Sequence, residues 1–151
     1  MKIYLESSVP NFLFAYDAPE KKKITEQFFE KELNKYEVFI SQLVITEINK
    51  SPKDKKEKLN NIIKKYKPNL LEINQEAKIL SEHYVKEGIV PTRYSDDALH
   101  IAVAVVNKTD ILISWNMQHI VNLKTILRGN KVNKKLGYRE ILIITPEEVL
   151  G

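Results

Sequence analysis

Short apolar runs alternate along the chain with longer segments in which apolar residues recur at helical spacing. The runs are rich in Ile, Leu and Val, which is typical of parallel strands that are covered on both faces. We predict strands at 2–5, 38–40, 70–73, 111–114 and 141–144, and helices at 19–34, 42–50, 52–67, 75–87, 95–108 and 117–128. This alternation predicts a three-layer α/β/α sandwich with a mostly parallel five-stranded sheet whose first strand is central.

Local motifs set several of the predicted boundaries. Ser51 followed by Pro52 is typical of a helix start, and Leu59, Ile62, Ile63 and Tyr66 then form an apolar stripe. The segment 145–148, Thr-Pro-Glu-Glu, predicts a capping box and a short terminal helix. The polar, basic stretch between Gly129 and Gly137 is predicted to be a loop.

Composition narrows the class of protein. A length of 151 residues with no repeat or linker predicts a single domain over 1–151. The chain has no cysteine, which excludes disulfides and thiolate chemistry. The longest purely apolar run, 101–106, is far shorter than the roughly 20 residues that cross a bilayer, and Glu6 interrupts any signal-peptide core. We therefore expect a cytoplasmic protein that does not contact a membrane.

The net charge of +4 is distributed unevenly. Segments 50–67 and 124–139 each carry +6, so the remaining 117 residues sum to −8. Two basic segments around an acidic remainder suit a protein that attracts a polyanion to a cation-binding centre. The alternative is that both segments are ordinary solvated faces.

Two glutamates stand at positions that favour a functional site. Glu6 ends the first predicted strand, and ligands bind open α/β sheets at the carboxyl ends of strands. Glu47 shares one helical face with Leu43, Val44 and Ile48, where a carboxylate is costly unless it is paired or bound to a metal. The alternatives are a loop acid at Glu6 and an internal ion pair at Glu47.

Further polar residues begin the central helix and follow the fourth strand. Asp96 and Asp97, behind a predicted Ser95 cap, open a helix that is apolar nearly all round, although acids in a first turn also complement the helix dipole. Ser114 and Asn116 follow a strand, where Asn is also a common turn or cap residue. We expect His100 and His119 to be buried or supporting residues and not metal ligands, because hard oxygen donors dominate this set.

Four segments together resemble the PIN-domain family, the fold of VapC-type ribonuclease toxins. They are 4–8 (YLESS), 46–48 (TEI), 97–102 (DALHIA) and 110–116 (DILISWN). Glu47 and Asp97 match the family's acids, and Ser8 matches its small hydroxyl residue. Glu6 stands where the family has Asp, and Asn116 replaces an acid.

The resemblance implies a metal-dependent endoribonuclease that leaves a 5′-phosphate and acts as the toxin of a type II toxin–antitoxin pair. The implied catalytic residues are Glu6, Glu47, Asp97 and Asn116, with Mg²⁺ or Mn²⁺ held by the three acids and with Ser8, Ser114 and Asp96 in support. RNA, an antitoxin and a second copy of the chain are the implied partners. We expect the RNA backbone to contact Lys131, Lys134, Lys135 and Arg139, and bases to stack on Trp115 and Tyr94.

Two other classes of α/β protein share the alternating pattern of strands and helices, but each needs residues that this sequence lacks. A phosphoacceptor receiver domain needs a clustered acidic pair and a Lys after the last strand, where this chain has Thr145 and Pro146. A haloacid-dehalogenase-type phosphatase needs Asp-x-Asp at the first strand, where Glu6 is followed by two serines. The remaining alternative is a PIN-like module that binds RNA or protein with weak or no catalysis.

Overall fold

The computed structural model describes residues 1–151 and contains one five-stranded sheet. Its strands are β1 (Lys2–Leu5), β2 (Glu37–Ser41), β3 (Asn69–Leu71), β4 (Ile111–Ile113) and β5 (Leu142–Ile144). The order is β3-β2-β1-β4-β5, and every neighbouring pair is parallel. The predicted parallel sheet with a central first strand is confirmed.

Helices connect the strands and cover both faces of the sheet. They are α1 (Ser8–Phe12), α2 (Pro19–Gln27), α3 (Gln42–Asn49), α4 (Lys53–Tyr66), α5 (Gln75–Lys86), α6 (Ser95–Val106), α7 (Leu123–Lys135) and α8 (Pro146–Leu150). None of them combines the length and the apolar character that crossing a bilayer requires.

Alternate residues of β1 pack into two separate cores, which makes the fold a three-layer α/β/α sandwich. Ile3 and Leu5 belong to a cluster that includes residues of α1, α3 and α4. Tyr4, between them, belongs to a cluster on the opposite face that includes residues of α5 and α6. Because successive side chains of a strand point to opposite faces, a continuous apolar run is required when both faces are covered.

The predicted loop between Gly129 and Gly137 is wrong, because α7 continues to Lys135 and does not cover 117–128. Thr125, Gly129 and Asn133 are buried on its inner face at intervals of four residues. Asn133 accepts a hydrogen bond from the hydroxyl of Tyr84, so the inner face is polar yet satisfied. This small, polar inner face concealed the helical period, and Gly137 lies just beyond the end at a φ of +87°.

Other boundaries differ by less. Pro52 and not Ser51 precedes α4, and Ser95 is the first residue of α6 and makes no capping bond. The predicted helix 19–34 is α2 followed by a π-helical turn (Phe28–Glu32) and a 3₁₀ turn (Leu33–Lys35). The predicted Thr145 cap is confirmed, since Thr145 Oγ1 accepts the Glu148 N–H at 3.3 Å, whereas the Glu148 side chain does not return the second bond of a capping box.

Candidate functional site

The candidate site lies at the edge of the sheet where the parallel strands end. Glu6 follows β1, Ser41 closes β2 and Ser114 follows β4. The first turns of α3 and α6 begin at the same edge, since each of these helices runs back across the sheet in the direction opposite to the strands. The topology therefore brings polar residues from five separate segments to one place.

Glu6 is held by two serine hydroxyls. Its side chain is buried, and its Oε1 accepts hydrogen bonds from Ser8 Oγ at 2.5 Å and from Ser114 Oγ at 2.6 Å. Ser8 Oγ in turn accepts the backbone N–H of Trp115 at 2.8 Å. The two serines that the sequence predicted as supporting residues thus connect the end of β1 to the end of β4.

Glu47 lies on the inner side of α3, next to the buried Val44 and Ile48. Its Oε1 lies 2.5 Å from Nε2 of His100 and accepts the Ser7 hydroxyl at 2.7 Å. The side chain keeps 31% of its surface exposed, so the carboxylate stands at the boundary between core and solvent. Glu47 is thus paired inside the protein, as the alternative interpretation of the sequence held, although its partner is a histidine and not a Lys or Arg.

His100 is completely buried and connects three elements. Its Nδ1 lies 2.7 Å from the hydroxyl of Tyr4, which also lies 2.7 Å from Ser41 Oγ. An aromatic ring in the core is thereby connected through His100 to the carboxylate of Glu47. Neither Tyr4 nor Ser7 was predicted from the sequence, and only their closeness to Glu6 in the chain pointed to them.

The pKa of His100 is raised and the pKa of Glu47 is lowered relative to their ordinary values. Burial would lower the pKa of His100, but the hydrogen bond to Glu47 and the charges of Glu6, Glu47 and Asp97 raise it. Burial would raise the pKa of Glu47, but the hydrogen bond and charge of His100, with the Ser7 bond and Lys50, lower it. Both shifts favour an imidazolium–carboxylate ion pair. Glu47 contacts the ring directly, whereas Glu6 and Asp97 act on it through their charges alone.

Asp97 and Asn116 are connected through His119. Asp97 Oδ2 lies 3.0 Å from His119 Nδ1, and Asn116 Oδ1 accepts the backbone N–H of His119 at 3.0 Å. Asn116 therefore caps the turn after β4. This is the structural role that the sequence offered as the alternative to a functional one. Asp96 is exposed and makes no side-chain hydrogen bond or ion pair.

A divalent cation is the cofactor that the sequence resemblance implies, and the donor set fits it in chemistry. Glu6, Glu47 and Asp97 supply carboxylate oxygens, the ligands that Mg²⁺ and Mn²⁺ prefer. One oxygen of each is held by a hydroxyl or an imidazole, and the other accepts no hydrogen bond from the protein. No three carboxylate or imidazole groups are, however, gathered closely enough to hold one ion in this conformation.

The basic residues predicted to contact RNA are not gathered around the acids. Lys131, Lys134 and Lys135 occupy the second half of α7, which runs from the site edge toward the opposite edge. Arg139 lies at that opposite edge, where it donates to the backbone carbonyl of Lys108. This arrangement follows from α7 being a helix and not the loop that the sequence predicted.

The aromatic residues proposed for base stacking also differ in position. Trp115 is buried, and its indole N–H donates to Thr25 Oγ1 at 2.9 Å, which makes it a core residue. Tyr94 stacks on His119 with a centroid separation of 4.1 Å.

A groove of about 630 Å³ lies toward the start of β2 and away from Glu6, Glu47 and Asp97. It is lined by residues such as Phe29, Leu33 and Tyr66.

Comparison with solved structures gives full-length fold matches at low sequence identity. VapBC2 from Rickettsia felis, bound to a DNA fragment from its promoter, matches with a TM-score of 0.61 and 13% identity over 96% of this chain and 98% of that chain. DNA-bound VapBC from Salmonella typhimurium matches with a TM-score of 0.53 and 15% identity over 97% and 98% of the two chains. No family model and no curated protein matches the sequence. The chain therefore shares the three-layer α/β/α fold found in these VapBC structures.

Proposed function

We propose that the protein is a metal-dependent endoribonuclease and the toxin of a type II toxin–antitoxin pair. The observation that carries the proposal is the placement of Glu6, Glu47 and Asp97 at the carboxyl edge of the sheet, with Glu47 in contact with the buried His100. The His100 imidazolium compensates one of the three carboxylate charges, and a bound divalent cation would compensate the other two.

Each residue of the site has a distinct role in this proposal. Glu6, Glu47 and Asp97 would hold Mg²⁺ or Mn²⁺, which when bound lowers the pKa of a water and stabilises charge on a phosphodiester. Ser8 and Ser114 fix the Glu6 carboxylate from one side and leave its second oxygen without a protein partner. Binding of one ion by all three carboxylates would require their side chains to move from the positions that they have in this conformation.

The amide of Asn116 acts differently from the acid that the resemblance would place there. Its oxygen caps the His119 turn, and its neutral side chain adds no charge to the site. The site then carries three formal negative charges, which suits one tightly held divalent ion better than two. We therefore propose one metal ion per chain, with Asn116 positioning the loop beside it.

A nucleic acid is the class of substrate that the surface charge favours, and RNA is the one that the sequence resemblance implies. α4 and α7 each present exposed lysines, including Lys53 and Lys64 on one and Lys134 and Lys135 on the other. Phosphate contacts of this kind bind a nucleic-acid backbone without reading its sequence. We propose that the RNA strand extends along these helices from the acidic edge and that cleavage occurs in the cytoplasm.

The structural neighbours support two protein partners. Both are VapBC structures, so we propose that a VapB-like antitoxin binds this chain and that the chain forms a homodimer. Co-expression with the product of a small adjacent gene, followed by size-exclusion chromatography, tests both partners. A heteromeric complex that inhibits cleavage is the expected result.

Cleavage of a generic single-stranded RNA with Mn²⁺, Mg²⁺ or a chelator tests the enzymatic proposal directly. Asp97→Asn should abolish cleavage without loss of fold, because the substitution keeps the side-chain volume and removes only the charge. Asp54→Asn is the matched control, since Asp54 also lies in the first turn of a helix but is exposed and unpaired. Equal cleavage by the wild type and Asp97→Asn would refute the assignment.

A second candidate is a PIN-like binding module with weak or no catalysis. It is favoured by the absence of three groups placed to share one ion and by the pairing of Glu47 with His100. This candidate predicts RNA or protein binding that is independent of metal. The same experiment separates the two, because a binding module would retain RNA affinity in the chelator and show no cleavage in Mn²⁺.

A further inference from the structure

His119 is restrained on three sides, although it lies outside the set of acids. Its Nδ1 lies 3.0 Å from Asp97 Oδ2, and its ring stacks on Tyr94 at 4.1 Å and an interplanar angle of 33°. Its backbone N–H donates to Asn116 Oδ1, and its residue surface is only 8% exposed. These contacts therefore restrain the orientation of the ring.

The chemistry of the two groups determines which of them donates the hydrogen bond between His119 and Asp97. An ionised carboxylate has only acceptor oxygens, so Nδ1 must carry the proton and donate it to Oδ2. This hydrogen bond restrains the Asp97 side chain and leaves Oδ1 without a protein partner. The donor comes from the loop after β4, whereas the carboxylate comes from the first turn of α6, so the bond also fixes these two elements relative to each other.

We propose that His119 is a positioning residue that orients Asp97 for the divalent cation. The inference rests on the proposed function, which it deepens by assigning a role to a residue that binds neither metal nor RNA. Ligand carboxylates are generally held by a second hydrogen bond, and removal of such a partner typically weakens metal affinity by about 10–100-fold. Tyr94 contributes by holding the imidazole plane in the orientation that points Nδ1 at Asp97.

A simple packing role for His119 makes different predictions, which two substitutions separate. His119→Phe keeps an aromatic ring against Tyr94 but has no N–H to donate. His119→Asn loses the ring but places an amide nitrogen close to the position of Nδ1. A packing role would make the asparagine variant the more damaged of the two, whereas a positioning role would make the phenylalanine variant the more damaged.

Mn²⁺ titration of the full chain, followed by the electron paramagnetic resonance signal of the free ion, measures affinity without relying on cleavage. We expect His119→Phe to bind Mn²⁺ about tenfold more weakly than the wild type and His119→Asn to stay within about threefold of it. Circular dichroism confirms that each variant is folded. If phenylalanine at 119 prevents folding, His119→Leu provides the same comparison, since it is smaller and also lacks a donor.

The outcomes distinguish this inference from the proposed function. Wild-type affinity in His119→Phe, or equal weakening in the two variants, overturns the positioning role while leaving the metal site intact. An Asp97→Asn variant titrated in parallel shows whether the site itself exists. Wild-type protein that binds no Mn²⁺, or that binds it as well as Asp97→Asn does, overturns the metal site and the inference with it.

Discussion

Oε1 of Glu47 lies 2.5 Å from Nε2 of His100, and this contact joins α3 to α6 across 53 positions of sequence. The carboxylate is partly exposed, whereas the imidazole is completely buried. Removing one partner of such a pair leaves a charge or an unsatisfied polar group in the core. The pair therefore acts as a charged contact between the two helices that carry Glu47 and Asp97.

The stability of the metal-free protein should depend on pH through this pair. Because the pKa of His100 is raised in the folded protein, His100 adds to the free energy of unfolding. This stabilisation is complete below the ordinary pKa of 6.5 and is lost as the pH rises through the raised pKa. Because the pKa of Glu47 is lowered, Glu47 adds a second stabilisation. It is complete above the ordinary pKa of 4.5 and is lost as the pH falls through the lowered pKa. The pair should thus stabilise the fold most between about pH 4.5 and 6.5.

Thermal unfolding in chelator from pH 3.5 to 8.5 measures this dependence. Glu47→Gln should flatten the profile, because the ion pair can no longer form. Glu26→Gln is the matched control, since Glu26 forms a partly exposed ion pair with Lys22 within one helix that is expected to contribute little. An unchanged profile in Glu47→Gln would contradict the ion-pair assignment.

Ser114→Ala should destabilise the protein and alter the site. Its hydroxyl donates to Glu6 Oε1 and accepts the backbone N–H of Asn116 at 2.9 Å, so the substitution leaves two buried groups less satisfied. We expect a loss of about 1–3 kcal/mol in the free energy of unfolding. Ser81→Ala, which removes only a hydroxyl bonded to the Lys78 carbonyl within α5, should cost less than about half as much.

Urea denaturation of the two serine variants provides the comparison. Mn²⁺ affinity should also fall in Ser114→Ala, because the Glu6 carboxylate loses one of its two tethers. Equal stability of Ser114→Ala and the wild type would mean that solvent replaces the hydroxyl at no cost. The Ser114 contact would then carry no part of the site.

Proline substitution tests the helical state of the basic segment 124–135. Lys131 is exposed in the interior of α7, so Lys131→Pro removes a main-chain hydrogen bond and should cost about 3 kcal/mol. Lys131→Ala removes the same charge and should leave stability within about 0.5 kcal/mol of the wild type. Similar stabilities of the two variants would contradict the helix and favour the loop that the sequence pattern predicted.

The sheet could be predicted closely because its strands carry a strong signal. Strands buried on both faces must be apolar throughout, and β1 was predicted with its observed bounds. The second half of α7 could not be predicted, since its inner face depends on Asn133, whose burial is favourable only with Tyr84 as a partner. Such long-range polar pairs leave no periodic pattern in the sequence.

The acids of the site were predictable for a related reason, and several of their hydrogen-bond partners were expected as supporting residues, but which acid each would contact was not predictable. Glu47 interrupts an apolar helical face, and Glu6 ends a buried strand, so both stand out against their neighbours. Ser7 and Ser41 gave no comparable signal, because serine is mostly a surface residue and neither serine interrupts an apolar pattern. Their roles depend on which segments the fold brings together.

Charge reversal on α7 separates RNA binding from metal binding. Lys134 and Lys135 are exposed at the end of the helix, about 16 Å from its first residue at a rise of about 1.5 Å per residue. Lys134→Glu with Lys135→Glu should weaken RNA affinity for every sequence and reduce the slope of log affinity against log salt by up to about 1.4, or about 0.7 for each lost phosphate contact. Mn²⁺ affinity should stay unchanged, because exposed charges beyond a Debye length of about 10 Å are screened.

RNA affinity measured by fluorescence anisotropy at several salt concentrations, with Mn²⁺ titration of the same protein, checks both expectations. Lys53→Glu with Lys64→Glu makes the matched change on α4, which presents exposed lysines on another helix. If both pairs contact RNA, each double variant should lower the salt slope and their combination should lower it further. An unchanged slope in the α7 variant beside a reduced slope in the α4 variant would restrict the RNA path to α4, because counterion release occurs only where phosphates are bound.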